Sequence, residues 1–419
     1  MATADLKKES VSPKATESTK TVDATPQPTE REKKKQTFIV RTIWTLIMIA
    51  GMVLVLTAGH IWMVALVGLI QVLAFREVIM LATEPAREMK LPWVRSLNWY
   101  FLATTIYYLE GESVIYYFKH HVVVGNLLLP LAVHHRFLSY CLYIIGFIFF
   151  VYSLEKNHYR FQFAQFCITH MTLLLAVVQG NFIVNNIFSG IFWFFVPAAL
   201  VITNDIFAYL CGITLGRTPL IKISPKKTLE GFVGAWICTV ISGIIFCKLS
   251  RHFYYFICPM SDIGIHAWSD VTCTPNPVFL VTDHRVPTFL QGMLGTDIVS
   301  FPDIYFHVTA LSTFASLIAP FGGFFASGLK RAFKVKDFGD TIPGHGGIVD
   351  RFDCQFLMGF FSYLYYDTFV ATHGIAFDIV LQSALMNLDP KDQVMLAESL
   401  SKYLVNNGLV HEKILECFA

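Results

Sequence analysis

Residues 327–353 read SGLKRAFKVKDFGDTIPGHGGIVDRFD, a dense mixture of cations, carboxylates and glycines. Lys330, Arg331, Lys334 and Lys336 can neutralise phosphate oxygens, Arg331 through a bidentate fork and the lysines as point charges. Gly344, Gly346 and Gly347 let backbone N–H groups come close to an anion. Asp350 and Asp353 are three residues apart where the last apolar run should begin, so they share one face of a first helical turn, favoured there by the helix dipole. Two carboxylates on one face suit a magnesium ion, and Asp337 could join them across the glycine turn. The same aspartates could equally cap the helix and pair with Arg351 and Lys336; spacing alone leaves both readings open.

A second polar stretch, residues 204–231, reads NDIFAYLCGITLGRTPLIKISPKKTLEG. Within it Ser224, Lys226, Lys227 and Thr228 place two ammonium groups and two hydroxyls ahead of a glycine, a combination suited to a triphosphate. It is not a GxxxxGK[ST] loop. Taken alone, its lysines read as charge flanking a membrane span, and only the presence of two such stretches shifts the balance.

The elements that must position these residues are apolar. Of 419 residues, 54% are hydrophobic and 15% charged, with a mean hydropathy of +0.54, which excludes an ordinary soluble domain. Apolar runs of about 20 residues, the length that crosses a bilayer as helix, begin near Phe38, Ile61, Leu97, Leu138, Phe163, Ile187, Phe232, Ile304 and Gln355. The expectation is an all-α polytopic membrane protein with about nine transmembrane helices, its site built by polar cytoplasmic loops. A shorter run, Asp205 to Leu215, is too brief to count and is interrupted by Gly212. Residues 1–36 are too polar to bury and read as a disordered cytoplasmic tail. No cleavable signal peptide is expected ahead of Phe38. Residues 37–203 form N-terminal membrane helices and 204–373 a catalytic membrane domain with a long loop at 249–303. Residues 374–419 form an amphipathic tail, with Asp389 and Pro390 starting a helix and Asn407 and Gly408 stopping it.

Charge distribution orients the chain. Arg31, Lys33, Lys34 and Lys35 precede the first span and place the N-terminus in the cytoplasm. Alternation then puts Arg87, Lys90 and Arg95, residues 204–231 and residues 327–354 on that same face, and 249–303 on the other. Cys258 and Cys273 thus fall where a disulfide could survive, and the sequence leaves their pairing open. The other seven cysteines read as small buried residues. Glu110 and Glu112 lie near the far end of the third span or line a lipid route, and His170 and Gln179 suit interhelical hydrogen bonds. A net charge of +2 points to no acidic partner, and no nucleic-acid partner is expected.

Ser327, Lys330, Arg331, Lys336, Asp337, Gly339, Ile342, Pro343, His345, Gly346, Gly347, Ile348, Asp350, Arg351, Phe352 and Asp353, in that order and spacing, resemble the long signature of the CDP-diacylglycerol synthases, or phosphatidate cytidylyltransferases. Asp205, Ala208 and Tyr209, with Ile223 to Thr228, resemble the family's second block, so the likeness covers most of residues 200–370. The long loop and lysine-rich tail resemble the eukaryotic branch. The resemblance implies magnesium-dependent transfer of CMP from CTP to phosphatidic acid, giving CDP-diacylglycerol and pyrophosphate, by a homodimer in the endoplasmic reticulum membrane with its site facing the cytosol. It implies that Asp350, Asp337 and Asp353 organise metal and that Lys226, Lys227, Lys330 and Arg331 hold phosphates. Ser224, Thr228, Ser327, His345, Gly346, Gly347, Arg351 and Asp205 would complete the substrate site, with His345 donating to phosphate or stabilising the turn. Bacterial members carry an aspartate where this chain has Gly323; one role suggested for it is binding a second cation, which here would need another carboxylate such as Asp205. The rival readings are a CTP-dependent lipid kinase of the dolichol kinase kind and a transporter of phosphorylated solutes.

Overall fold

The structure, a computed structural model, describes residues 30–411 apart from 90, 92, 122–130, 132–133, 222, 261, 263, 287–290, 292–294, 372–383 and 385–387, and without the side chains of 30–35, 37, 87–88, 112–121 and 225–226. The tail at 1–29, the flanking charges from Arg31 to Lys35, Arg87, Lys90, the side chains of Glu112 and Lys226, and residues 374–383 lie outside what is described.

Each expected span forms a helix. In order they are α1 (Glu30–Ala58), α2 (His60–Glu88), α3 (Val94–His121), α4 (His135–Tyr152) and α5, which runs Tyr159–Ser189 with a π-helical turn at Leu173–Val178. Then come α6 (Ile191–Leu215), α7 (Leu229–Ser250), α8 (Ile304–Leu317), α9 (Pro320–Ala332), α10 (Val349–Phe369) and α11 (Pro390–Asn406). Seven helices among the described residues are long and apolar enough to cross a membrane: α1, α2, α4, α5, α6, α7 and the continuous α8–α9 run Ile304–Ala332. The other two expected spans, α3 and α10, are not among them; α3 carries Arg95, Glu110, Glu112 and Lys119, and α10 carries Asp350, Arg351, Asp353 and Asp367.

Three boundaries differ from the sequence reading. Helix α1 begins at Glu30, inside the polar segment expected to be unstructured. The run Asp205–Leu215 is the second half of α6, not a separate piece. A helical glycine costs only about 1 kcal/mol against alanine, and here Gly212 is packed beneath Thr228 while Gly231 of α7 lies against the Ala208 carbonyl. Both polar stretches are therefore shorter as loops than expected. One is reduced to residues 216–228, which carry an antiparallel hairpin of β1 (Pro219–Ile221) and β2 (Ser224–Thr228). The other is reduced to 333–348.

Hydrocarbon tails are as apolar as leucine, so close packing and buried hydrogen bonds hold such a bundle together. Trp193 and Leu200 of α6, Leu311 of α8 and Met358 of α10 are fully buried in one core, and Phe314 stacks on Phe361 with ring centroids 3.6 Å apart. Gly243 of α7 lies so close to α8 that a Cβ there would collide with Ser312 Oγ. Asn186 donates to the Gly359 carbonyl (2.8 Å), Ser362 to that of Trp193 (3.1 Å) and Gln355 to that of Ala198 (3.1 Å). His170 bridges to Tyr143 of α4 (3.2 Å), the interhelical role expected of it.

The two ends of the bundle are distinct. At one, Cys258 and Cys273 are joined in a disulfide, and β3 (Val281–Arg285) pairs antiparallel with β4 (Ile298–Pro302). Residues of that loop hold the end of α1, with Tyr255 donating to the Leu56 carbonyl (2.7 Å) and Ala267 N–H to that of Thr57 (3.1 Å). They also meet the end of α10, where Asn276 donates to the Val370 carbonyl (3.0 Å). In the N-terminal half of α1, away from Leu56 and Thr57, Arg41 donates to the Gly344 carbonyl (2.9 Å). Residues 333–348 and the disulfide loop therefore lie at opposite ends. Helix α11 begins and stops as expected, with Leu396, Leu400 and Tyr403 exposed, although the Asp389 side chain makes no capping bond.

Replacing Gly243 by valine should force α7 from α8 at a cost of about 1–3 kcal/mol. Thermal unfolding in detergent should show a clear fall in midpoint, with a smaller fall for Gly243→Ala.

Candidate active site

The site end is assembled around two carboxylates that bind backbone. Glu77, buried on α2, accepts from Ile348 N–H (2.8 Å), Val349 N–H (3.0 Å) and the Thr341 hydroxyl (2.5 Å). The first N–H groups of a helix have no partner within it; here a side chain more than two hundred residues away in sequence supplies one for α10. Gly347 must be glycine because a Cβ would lie 2.5 Å from Glu77 Oε2. Asp350 is the second anchor. Its side chain is 4% exposed and accepts from Lys330 Nζ (2.5 Å), Phe338 N–H (3.0 Å) and Gly347 N–H (3.1 Å). Gly346, with φ +84, turns the chain between them, and a Cβ on it would be 3.3 Å from Asp350 and 3.4 Å from Asp337. Asp337 and Asp350 thus flank one glycine turn, as the spacing suggested.

The hairpin from the other polar stretch reaches the helix that precedes this loop. Lys227 Nζ of β2 sits 5.2 Å over the Phe324 ring of α9. Asp205, exposed on α6, is within electrostatic reach of Lys227, Arg351 and Asp353. Asp353, half-buried on α10 ahead of its apolar stretch, has its carboxyl pushed up to about 6, mainly by burial, against the Cys354 N–H bond that favours the charged form. Lys330 also acts on Asp353. Two carboxylates and three cations, drawn from α6, β2, α9 and α10, therefore share one region. A Cβ on Gly323 would lie 3.5 Å from Asp353 Oδ2, so a carboxylate at that position would face Asp353. The described residues contain no group of three or more His, Cys, Asp or Glu arranged to hold a metal.

Other expected site residues have different engagements. Thr228 is the N-cap of α7, its hydroxyl oxygen accepting from Gly231 N–H (3.2 Å). Arg331 is exposed and reaches the Val335 carbonyl (3.4 Å), and Lys336 is exposed. Ser224 and Ser327 are half-buried on β2 and α9. Arg351 donates twice to the His345 carbonyl, at 3.0 and 2.8 Å. His345 Nε2 is 3.2 Å from Thr45 Oγ1 of α1, and Thr45 spends its one hydroxyl hydrogen on the Arg41 carbonyl (2.9 Å). The buried Nδ1 has no hydrogen-bond partner among the described residues. These contacts with Thr45 and Arg351 tie His345 into the turn, one of the two roles the resemblance implied for it.

Glu77, Arg41, Thr45 and Glu230 were not singled out from sequence. Glu230 accepts from Arg217 N–H (3.0 Å), Thr218 N–H (3.1 Å) and the Thr218 hydroxyl (2.8 Å), closing the base of the hairpin. A glutamate two residues beyond a threonine cap was a usable local signal for it. None existed for Glu77.

The chain is thus a helical membrane bundle with a cationic, carboxylate-bearing, glycine-turned region at one end. The chain belongs to the cytidylyltransferase family, whose model matches residues 39–369. It is 47% identical over 411 residues to the phosphatidate cytidylyltransferase of Saccharomyces cerevisiae, covering 98% of this chain and 88% of that protein. It is 46% identical over 375 residues to human phosphatidate cytidylyltransferase 1, covering 88% and 80%, and 40% identical over 387 residues to Arabidopsis thaliana phosphatidate cytidylyltransferase 1, covering 91% of each.

Removing the Glu77 carboxylate leaves three donors unsatisfied, each bond to a charged group being worth about 1.5–3 kcal/mol. Amide exchange of residues 339–349 should accelerate in Glu77→Ala by at least about tenfold, the equivalent of ~1.4 kcal/mol, while exchange in α6 to α8 stays unchanged.

Proposed function

We propose that the protein transfers CMP from CTP to phosphatidate, forming CDP-diacylglycerol and releasing pyrophosphate. The observation that carries this reading is the meeting of Lys227, Lys330 and Arg351 with Asp205 and Asp353 at one end of a membrane bundle, in the segments that resemble the cytidylyltransferase signature. The relatives' activity supports it.

The nucleophile is a phosphate-monoester oxygen of phosphatidate. Its second pKa is about 6, so at neutral pH it is mostly ionised and needs no general base. It attacks the α-phosphorus of CTP, the new P–O bond forms as the α–β anhydride breaks, and pyrophosphate leaves with the bonding pair. The chain's task is to position two anions and offset their charge. Lys227, Lys330 and Arg351, with Lys226, serve that end. Asp350 holds Lys330 until phosphate competes for it, and the glycine turn presents its backbone closely to the substrate.

The donors present fit a magnesium ion that arrives with its nucleotide, because magnesium is commonly held by one or two carboxylates together with substrate phosphates. Asp353 and Asp205 would hold it, Asp205 standing in for the carboxylate that Gly323 lacks, with Asp350 and Asp337 supporting from the turn. When bound, the ion neutralises phosphate oxygens in the displacement.

The orientation proposed places the site in the cytosol, where CTP is, and the disulfide end in the lumen of the endoplasmic reticulum, where a disulfide persists. The homodimer implied by the resemblance belongs to the same proposal.

Detergent-solubilised protein given α-labelled CTP, phosphatidate and magnesium should put label into lipid; label left in free CDP would indicate a lipid kinase instead. Chelator should abolish the transfer, and Asp353→Asn should lower turnover by about 100-fold or more, the scale of a lost transition-state electrostatic contact. Near-normal turnover of that variant would overturn the ligand assignment.

A further inference from the structure

Beside the polar site lies an apolar groove of about 220 Å³, walled by α5, α9 and α10. Ala176 and Leu175 come from the π-helical turn of α5, Ala326 and Leu329 from α9, and Phe356 from α10. A π turn adds a residue to the helical register and is frequent where helices build sites. Phe321 and Phe325, 55% and 47% exposed, stand on the outer surface of a membrane-crossing helix. Asp353 and Phe338 line the groove as well. Lys330 Nζ sits 5.6 Å over the Phe338 ring, so the groove and this cation share a wall.

An apolar cavity of ~150 Å³ stays dry and takes apolar guests. One that opens at bilayer depth meets hydrocarbon, not water. We propose that this groove holds one acyl chain of the phosphorylated lipid acceptor, with the lipid's phosphate at Lys330, so that the groove selects among acyl chains. The inference rests on the proposed function and adds to it the part of the molecule that reads the lipid tail. Continuity decides the occupant: a chain seated between Phe325 and Phe338 carries its headgroup to Asp353 and Lys330, where an anionic headgroup finds Lys227 and Arg351 as well. A choline headgroup would bring a cation there. Transfer from bilayer to groove moves hydrocarbon to hydrocarbon, so shape, not hydrophobicity, sets the preference.

Filling the groove tests this. Ala176→Leu and Ala326→Leu should each lower the ratio of kcat/KM for dioleoyl- to dihexanoyl-phosphatidate by about tenfold, the discrimination an apolar pocket exerts for small changes in fit. The KM for CTP should not move. An unchanged ratio in both variants would overturn the proposal. If a variant loses activity on both lipids through misfolding, wild-type protein decides the matter by photolabelling. Phosphatidate with a mid-chain diazirine should label residues 171–179 and 321–329, and equal labelling by a diazirine phosphatidylcholine would make the groove a site for bulk lipid and defeat the assignment. Should wild type form no CDP-diacylglycerol from either substrate, the proposed function fails by itself, while the photolabelling still tests the groove.

Discussion

The site depends on a carboxylate that takes no part in its surface. Glu77 reaches from α2 into the first turn of α10 and fixes the Ile348 and Val349 amides together with the Thr341 hydroxyl. A glycine-rich loop has many conformations available, and ordering it costs backbone entropy of about 1–2 kcal/mol per residue. Three hydrogen bonds to one buried charge, and three more to Asp350, offset that cost and leave a single arrangement. Gly346 and Gly347 are therefore a fit to these carboxylates: Gly347 makes room for Glu77, and Gly346 lies between Asp337 and Asp350.

The helices were legible because bilayer thickness imposes a length and a polarity that few other constraints can imitate. Their ends were less so. Asp205 to Leu215 looked too short and too glycine-rich to be a crossing element, yet Gly212 and Gly231 are where α6 and α7 approach each other, and the run simply completes α6. Close helix contact and helix termination both recruit glycine, and sequence alone does not distinguish them. The chemistry-bearing loops were legible by composition, and the structure brings Lys227, Lys330, Arg351, Asp205 and Asp353 together. Glu77 was not legible. It stands in an apolar helix whose local pattern gives it no role, and its partners are 264 to 272 residues away. His345 shows a related limit: donation to phosphate and a part in holding the turn were both open from sequence, and its contact with Thr45 of α1 spans 300 residues.

The polar groups inside the bundle follow one rule. Asn186, Ser362 and Gln355 each donate to a backbone carbonyl of another helix, so they fix helix against helix without placing charge at depth. At the end that carries residues 333–348, Lys330 and Asp350 pair with side chains 15% and 4% exposed. Breaking such a pair from one side leaves an uncompensated ion, which is why it is stable until another anion competes.

Helix α1 touches the rest of the bundle sparingly along its length but is pinned at two levels. Arg41 and Thr45 grip the glycine turn, and Leu56 and Thr57 are gripped by the disulfide-bearing loop. From Arg41 to Leu56 is 15 residues, or roughly 22 Å of rise, a little less than the hydrocarbon layer. A rod fastened at two levels cannot lean to suit a thicker or thinner membrane without straining a fastening, and one of its two fastenings is the glycine turn at Gly344 and His345.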